Sequence, residues 1–390
     1  MTHRKTLLWF SPVVISSILL ALLFGPLAPA ASPQEIREEL REKLGVYVWG
    51  RVPDLAVAAA DAKSLGADRV VRTFIGPWSD NPPYTDDLRP LLDKTASGDY
   101  RPMLDGFPVV MLTAYDSASY PRDFRSLEPE AGSRAGVCKR AERERVCHPS
   151  LSISRNLATL PEDQAESLLA AVRSEFRMLA FELAKRDRVF ILSNWEAEND
   201  VPDARLWPAY TRYLQARLDG IVEGREIARR EGYPAKVFTA FEFTIVPGFA
   251  GRPSGLVEIG GKLRGLDYLS YSAWWSIGAE YDAPTLQDSF RSAFQTIRGF
   301  ARRNGLPERL IVGEFGEYWD AHPTAERLRA IVAVSIAERV EYLFNWVLYD
   351  QPGETDEHGR DASHFGKFSL DRELTPQGRA FREWLGEEKR

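Results

Sequence analysis

Eight short apolar runs recur along this chain, with segments of helical pattern between them. The runs are Leu44–Trp49, Arg69–Phe74, Phe107–Thr113, Arg188–Glu196, Lys236–Glu242, Asp267–Trp275, Leu310–Trp319 and Tyr342–Val347. Leu310-Ile311-Val312 is typical: consecutive apolar residues mark a strand covered on both faces, as in a parallel sheet. Parallel neighbours need crossovers, and Leu55–Leu65, Tyr84–Leu92, Pro161–Lys185, Trp207–Glu231, Leu286–Asn304 and Ala325–Glu338 read as the helices that supply them. This alternation predicts an α/β fold, a single (β/α)8 TIM barrel over residues 44–390, closed by a last helix at Pro376–Leu385. No repeat, low-complexity tract or linker marks a second domain. Residues 117–160 lack regular pattern; after the third strand of a barrel they form a βα-loop on the face where the strands' C-terminal ends open.

The first residues carry a different pattern. Arg4 and Lys5 precede an almost unbroken apolar run from Leu7 to Leu23, and Ala28-Pro29-Ala30 has the small-x-small form of a cleavage site. Residues 1–30 therefore read as a signal peptide or, uncleaved, as an N-terminal membrane anchor and tether. Residues 31–43 follow as a linker or charged helix. Both readings place the domain outside the cytoplasm, secreted or periplasmic. In such a compartment Cys138 and Cys147 are expected to form a disulfide. His148 adjoins them without a fourth ligand, so no metal site is expected. A net charge of −6 with no long basic run after the N-terminus argues against nucleic acid as a partner. No glycine-rich phosphate loop, nucleophile elbow or zinc-binding helix is present, so no cofactor is expected. The chain reads as a monomer.

The chemistry concentrates where strands end. Glu196 closes the fourth strand and Glu314 the seventh, so a barrel brings both carboxylates to one cleft. Two such groups flanking a glycosidic bond suffice to hydrolyse it, one protonating the leaving oxygen and one acting as nucleophile or base. Trp49, Trp195, Trp274, Trp275, Trp319 and Trp346 fall at or just beyond strand ends, and Trp78 lies after the second. Indole faces pack on the C–H faces of pyranose rings while the N–H donates, so a carbohydrate is the expected partner.

Val312-Gly313-Glu314-Phe315-Gly316 resembles the strand-seven nucleophile motif of the clan A glycoside hydrolases, the retaining (β/α)8 enzymes that include family-five cellulases and mannanases. Ala67-Asp68-Arg69-Val70-Val71-Arg72 is similar to their strand-two segment, and Phe365–Asp371 with Leu374-Thr375-Pro376 is similar to their C-terminal ending. The resemblance implies a retaining double displacement, with Glu314 as nucleophile and Arg72 beside it, lowering its proton affinity. It also implies a raised proton affinity for the acid/base.

Strand four departs from the pattern. The string is Ser193-Asn194-Trp195-Glu196-Ala197-Glu198-Asn199-Asp200, with Trp195 where the resemblance expects Asn. Counting from the strand start makes Glu196 the acid/base; Glu198 is the alternative. Asn194 or Asn199 would then replace the missing amide as a sugar contact. On strand six the resemblance makes Tyr271 a hydrogen-bond partner of the nucleophile. Glu317 reads as a subsite or rim group. Glu354, Asp356, His358, Asp361 and His364 form a polar loop whose spacing matches no metal motif. The leading expectation is an exported retaining glycoside hydrolase. The alternatives are a non-catalytic carbohydrate-binding barrel and an envelope or exopolysaccharide transglycosylase.

Overall fold

Leu44 in the first strand pairs with Leu343 in the last, and Val46 pairs with Val71 on the other side, so the sheet closes on itself. The computed structural model describes residues 33–50, 52, 54–76, 90–117, 138–139, 146–147, 149–278, 281–317, 324–351 and 364–385. The barrel strands are β1 (Leu44–Val48), β2 (Val70–Ile75), β3 (Val109–Ala114), β4 (Val189–Ser193), β5 (Val237–Phe243), β6 (Tyr268–Ser272), β7 (Leu310–Phe315) and β8 (Tyr342–Asn345). Each pairs in parallel with its neighbours in sequence order, and β8 returns to β1. The single (β/α)8 barrel expected from the alternation is the fold observed.

Helices at Leu55–Ser64, Glu162–Ala184, Trp207–Arg230, Ala283–Asn304 and Thr324–Ala337 surround the strands, and Pro376–Leu385 follows β8. Their starts are written locally. Asp54 accepts from the amides of Ala56 and Val57, and Asp282 from that of Thr285, satisfying donors that a helix leaves open. Alternation sorts the strand side chains into two cores. Val70, Val109, Met111, Ile191, Ala240, Tyr268, Ile311 and Phe344 plug the interior. Residues such as Val71, Val110, Phe241 and Val312 point outward and pack with the helices. Each buried large aliphatic or aromatic side chain contributes roughly 1.5–3 kcal/mol before entropy is counted.

β7 breaks the alternation where it matters. Its pairing slips by one residue against both neighbours: Tyr271 pairs with Val312 but Ser272 with Glu314, and Leu343 pairs with Val312 but Asn345 with Phe315. Strict alternation from the inward Ile311 would aim Gly313 inward and Glu314 at the helices. The extra residue lets both face the interior, the usual effect of a bulge.

Three boundaries differ from expectation. β4 stops at Ser193, so Glu196 lies beyond the strand, ahead of a short helix Ala197–Asp200. β6 stops at Ser272 and passes into a 3-10 turn at Ala273–Ser276. Within the irregular stretch, Pro149–Thr159 is a helix buried through Leu151, Ile153 and Leu157; its Ser, Arg and Asn content hid it. Between β2 and β3 the described helices are Leu91–Ala96 and Arg101–Leu104, and residues 84–89 of the expected helix lie outside the described residues.

The chain divides into two units, residues 1–39 and 40–390. The described part of the first, residues 33–39, begins the helix Pro33–Lys43. Residues 1–30, expected to be a signal peptide or anchor, lie outside the described residues, and among the described residues no helix is long and apolar enough to cross a membrane. A two-stranded antiparallel ladder sets Cys138 opposite Cys147; the side chains of both lie outside the description.

Candidate active site

Above the apolar plug the barrel interior turns polar. Arg72, on β2, is fully buried and has its guanidinium 4.2 Å from the Tyr47 ring centre. Its two terminal nitrogens donate to both oxygens of Glu242 on β5, at 2.7 and 2.8 Å. It also donates to the Gly313 carbonyl at 2.7 Å and to Thr113 Oγ1 at 2.9 and 3.1 Å. Ser270, on β6, donates to Glu242 Oε2 at 2.7 Å. A Cβ on Gly313 would overlap that same oxygen, so only glycine lets β7 pass over the ion pair. Burial pushes the Glu242 carboxyl up, and Arg72 pulls against it.

Glu314 and Glu196 are both almost wholly buried, close enough for the charge of Glu196 to act on Glu314. Glu314 Oε1 accepts the Trp195 indole N–H at 3.0 Å, and Oε2 accepts that of Trp274 at 3.1 Å. Arg72 Nη1 stands 3.6 Å from Oε1. Glu196 accepts from the Ser272 hydroxyl through Oε1 and from the Asn199 amide through Oε2. Burial first, and the charge of Glu196 second, hold the Glu314 carboxyl well above the usual carboxylate range. This corrects the expectation for Arg72. The guanidinium does lower the proton affinity of Glu314, but its closest carboxylate is Glu242, and the opposing effects win.

The two partner sets differ in kind. An indole N–H and a guanidinium only donate, so a proton on Glu314 would find no acceptor among them. A serine hydroxyl both donates and accepts, so Ser272 suits either protonation state of Glu196.

Other expected residues fall elsewhere. Tyr271 faces outward, its ring 5.8 Å from that of Phe243 and its hydroxyl 2.8 Å from Ser276 Oγ; it does not reach Glu314. The period of two explains this, since Ser270 and Ser272 take the inward positions and Trp274 makes the contact assigned to Tyr271. Glu198 turns away from the pair. It accepts from the amides of Thr244, Ile245 and Gly255 at 2.9, 3.2 and 2.7 Å and holds the loop after β5, and burial pushes its carboxyl up to about 7. Asn194 spends its amide on β5, donating to the Glu242 carbonyl and accepting from the Glu242 N–H, both at 2.9 Å. Asn199 binds Glu196 itself. Glu317 is no rim group: it is buried, 2.9 Å from Arg327 Nε, and pushed up by burial to about 7.

The tryptophans divide between two sides. Trp49 and Trp346 lie ring to ring at 5.1 Å and, with Tyr47, Phe74, Thr113, Tyr115 and Trp195, line a hollow beside Glu314. Trp275 packs at 5.6 Å from Phe249, with the Arg252 guanidinium 4.4 Å from its ring centre. Trp78, Trp319, Glu354, Asp356, His358 and Asp361 lie outside the described residues. His364 is described, with Nδ1 3.8 Å from Asp350 Oδ2. Among the described residues no group of three or more His, Cys, Asp or Glu side chains is placed to hold a metal ion.

Sequence reasoning missed Glu242, Ser270 and Ser272. An acid within the apolar run Phe238–Phe243 was the available signal for the first, and the inward parity of alternate β6 residues for the others.

No protein-family model and no curated protein matches the sequence. Solved structures do match. The exo-β-1,4-mannosidase Op5Man5 from Opitutaceae bacterium strain TAV5 superposes with a TM-score of 0.53 at 17% identity, covering 88% of this chain and 59% of that one. This chain thus spans less than two thirds of that enzyme. A Glu-to-Ala variant of a GH5_18 protein from Streptomyces cattleya, in complex with Manβ1-4GlcNAc, gives 0.54 at 17% identity, covering 88% and 80%. A Glu-to-Ala GH5_18 variant from Bifidobacterium longum subsp. longum ATCC 55813, with the same disaccharide, gives 0.54 at 16%, covering 88% and 77%. At such identities the likeness concerns the fold.

Proposed function

We propose that this chain is a retaining glycoside hydrolase with Glu314 as nucleophile and Glu196 as acid/base. The observation that carries the reading is the contrast between their partners. Glu314 has both oxygens held by groups that only donate, which orients an anion for attack. Glu196 sits against a hydroxyl that tolerates a proton on the carboxyl. A retaining cleavage needs its acid/base protonated and its nucleophile as the anion, and of the two only Glu196 has a hydroxyl, that of Ser272, able to accept from a protonated carboxyl.

In the first step Glu314 Oε attacks the anomeric carbon, the bond to the leaving oxygen breaks, and the Glu196 proton passes to that oxygen. In the second, Glu196 takes a proton from water, whose oxygen attacks the same carbon and frees Glu314. The aromatic hollow beside Glu314 supplies ring faces for a pyranose. The β-1,4-mannosidase activity and the bound Manβ1-4GlcNAc named for the structural relatives make β-mannosides the first substrates to try. The leader-like residues 1–30 support export, with either a cleaved signal or a retained tether.

The test is a panel of aryl β-glycosides, β-mannosides first, followed by a 2-fluoro glycoside trap and peptide mass analysis. Label on Glu314 is expected, and Glu314→Gln should lower kcat by roughly 10⁴-fold or more while the protein stays folded. Azide should rescue Glu196→Ala on a substrate with an activated leaving group, and not Glu198→Ala. Label on another residue, or full activity in Glu314→Gln, would overturn the assignment.

A further inference from the structure

Three carboxylates and one guanidinium share the polar layer above the apolar plug, and the guanidinium is centred on Glu242 and not on Glu314. Arg72 grips Glu242 through two parallel bonds, at 2.7 and 2.8 Å, and reaches Glu314 only at 3.6 Å. Such a fork on a carboxylate is among the strongest pairings proteins use. Glu242 is locked from several directions. Ser270 binds its Oε2, Asn194 brackets its backbone N–H and C=O, and Gly313 leaves room for its carboxyl. The charged and titratable groups facing it are Arg72 from β2, Glu314 from β7 and Glu196 from the loop after β4, with Tyr47 of β1 under the guanidinium. An ionised Glu242 offsets most of the charge of Arg72, so the guanidinium that stands 3.6 Å from Glu314 is already paired.

We propose that Glu242 is a positioning residue for that pair: by drawing Arg72 onto itself it keeps one proton shared between Glu196 and Glu314. This rests on the reading of the two glutamates as a catalytic pair. Arg72 then has two roles. Its contact to the Gly313 carbonyl fixes the bulge that aims Glu314, and its charge is spent beneath the site rather than in it. Without Glu242 the free guanidinium charge would ionise both carboxyls, and the acid would be lost from the pair at neutral pH.

The test needs no substrate. Glutamate δ-carboxyl carbons are labelled with ¹³C and titrated by NMR, with Glu196→Gln, Glu242→Gln and Glu314→Gln used for assignment. In the unsubstituted protein Glu242 is expected to stay ionised at neutral pH while the Glu196/Glu314 pair holds one proton. In Glu242→Gln that proton is expected to leave at a pH at least one unit lower, and the alkaline limb of kcat/KM on an aryl glycoside should move down with it. A residue that merely filled space would leave both readouts in place. If Glu242 carries the proton in the unsubstituted protein while both partners are ionised, the proposal is overturned. An unmoved titration in folded Glu242→Gln overturns it too. The measurement on the unsubstituted protein decides the matter even if the variant does not fold. A chain that hydrolyses no glycoside yet shows the expected titration would sink the catalytic reading and leave the charge arrangement standing.

Discussion

The indole N–H of Trp195 ends 3.0 Å from Oε1 of Glu314, joining the loop after β4 to the bulge on β7. Trp195 occupies the position where the family resemblance expects an asparagine, and its indole N–H goes to the Glu314 carboxyl. Its ring meanwhile lines the aromatic hollow. One side chain thus orients the Glu314 carboxyl and walls the space beside it.

Trp195→Phe separates these roles, because it keeps a ring and removes the donor. A hydrogen bond to a charged group contributes about 1.5–3 kcal/mol, so kcat/KM is expected to fall roughly 10- to 100-fold. Losing a donor to the anion raises the proton affinity of Glu314, so the acidic limb of the pH–rate profile should move upward. An unchanged limb would show that the contact does not act on the carboxylate.

Glu198 predicts a pH effect on stability. Burial raises its carboxyl to about 7 in the folded state, above the value of an unfolded glutamate. Its contribution is therefore fully present below about pH 4.5 and is lost as pH rises through about 7, by on the order of 3 kcal/mol. Urea midpoints at pH 4.5 and 8 should differ less in Glu198→Gln than in the unsubstituted protein. An equal difference in both would place the titrating group elsewhere.

Gly313→Ala puts a methyl group where Glu242 Oε2 and Ser270 Oγ already sit. Overpacking of this kind costs about 1–3 kcal/mol, and more where the neighbours are locked. A clear fall in melting temperature is expected, with activity lost beyond what the fall explains, because the same shift moves Arg72 and Glu314. Retained activity in a folded variant would mean that the floor is softer than its hydrogen bonds imply.

Cys138 and Cys147 stand directly opposite in an antiparallel ladder, a placement that suits a cross-strand bridge. Protein recovered from an oxidising compartment should show no free thiol when denatured, and a linked peptide pair that reduction separates. The closed loop is short, so reduction should remove very roughly 2–3 kcal/mol on a chain-entropy estimate. Two titratable thiols in exported material would refute the bridge.

Much of this protein was legible before folding because the signals are local. Doubly buried strands alternating with helices have few ways to close, and eight of them read as a barrel. Acids at strand ends were then visible as candidates, Glu196 and Glu314 among them. What the chain could not disclose alone depends on parity and on partners far apart in sequence. Tyr271 looked well placed until alternation turned it outward, and Glu314 points inward only because β7 carries an extra residue. Glu198 lies two positions from Glu196 and serves a different loop. Arg72 and Glu242 are 170 residues apart, and no local pattern pairs them; only the closed sheet brings β2 and β5 across one interior, where an unpaired charge would be too costly to bury. Which acids exist near strand ends is written in the sequence, whereas which of them face each other, and which receives the arginine's charge, is decided by the register of the barrel.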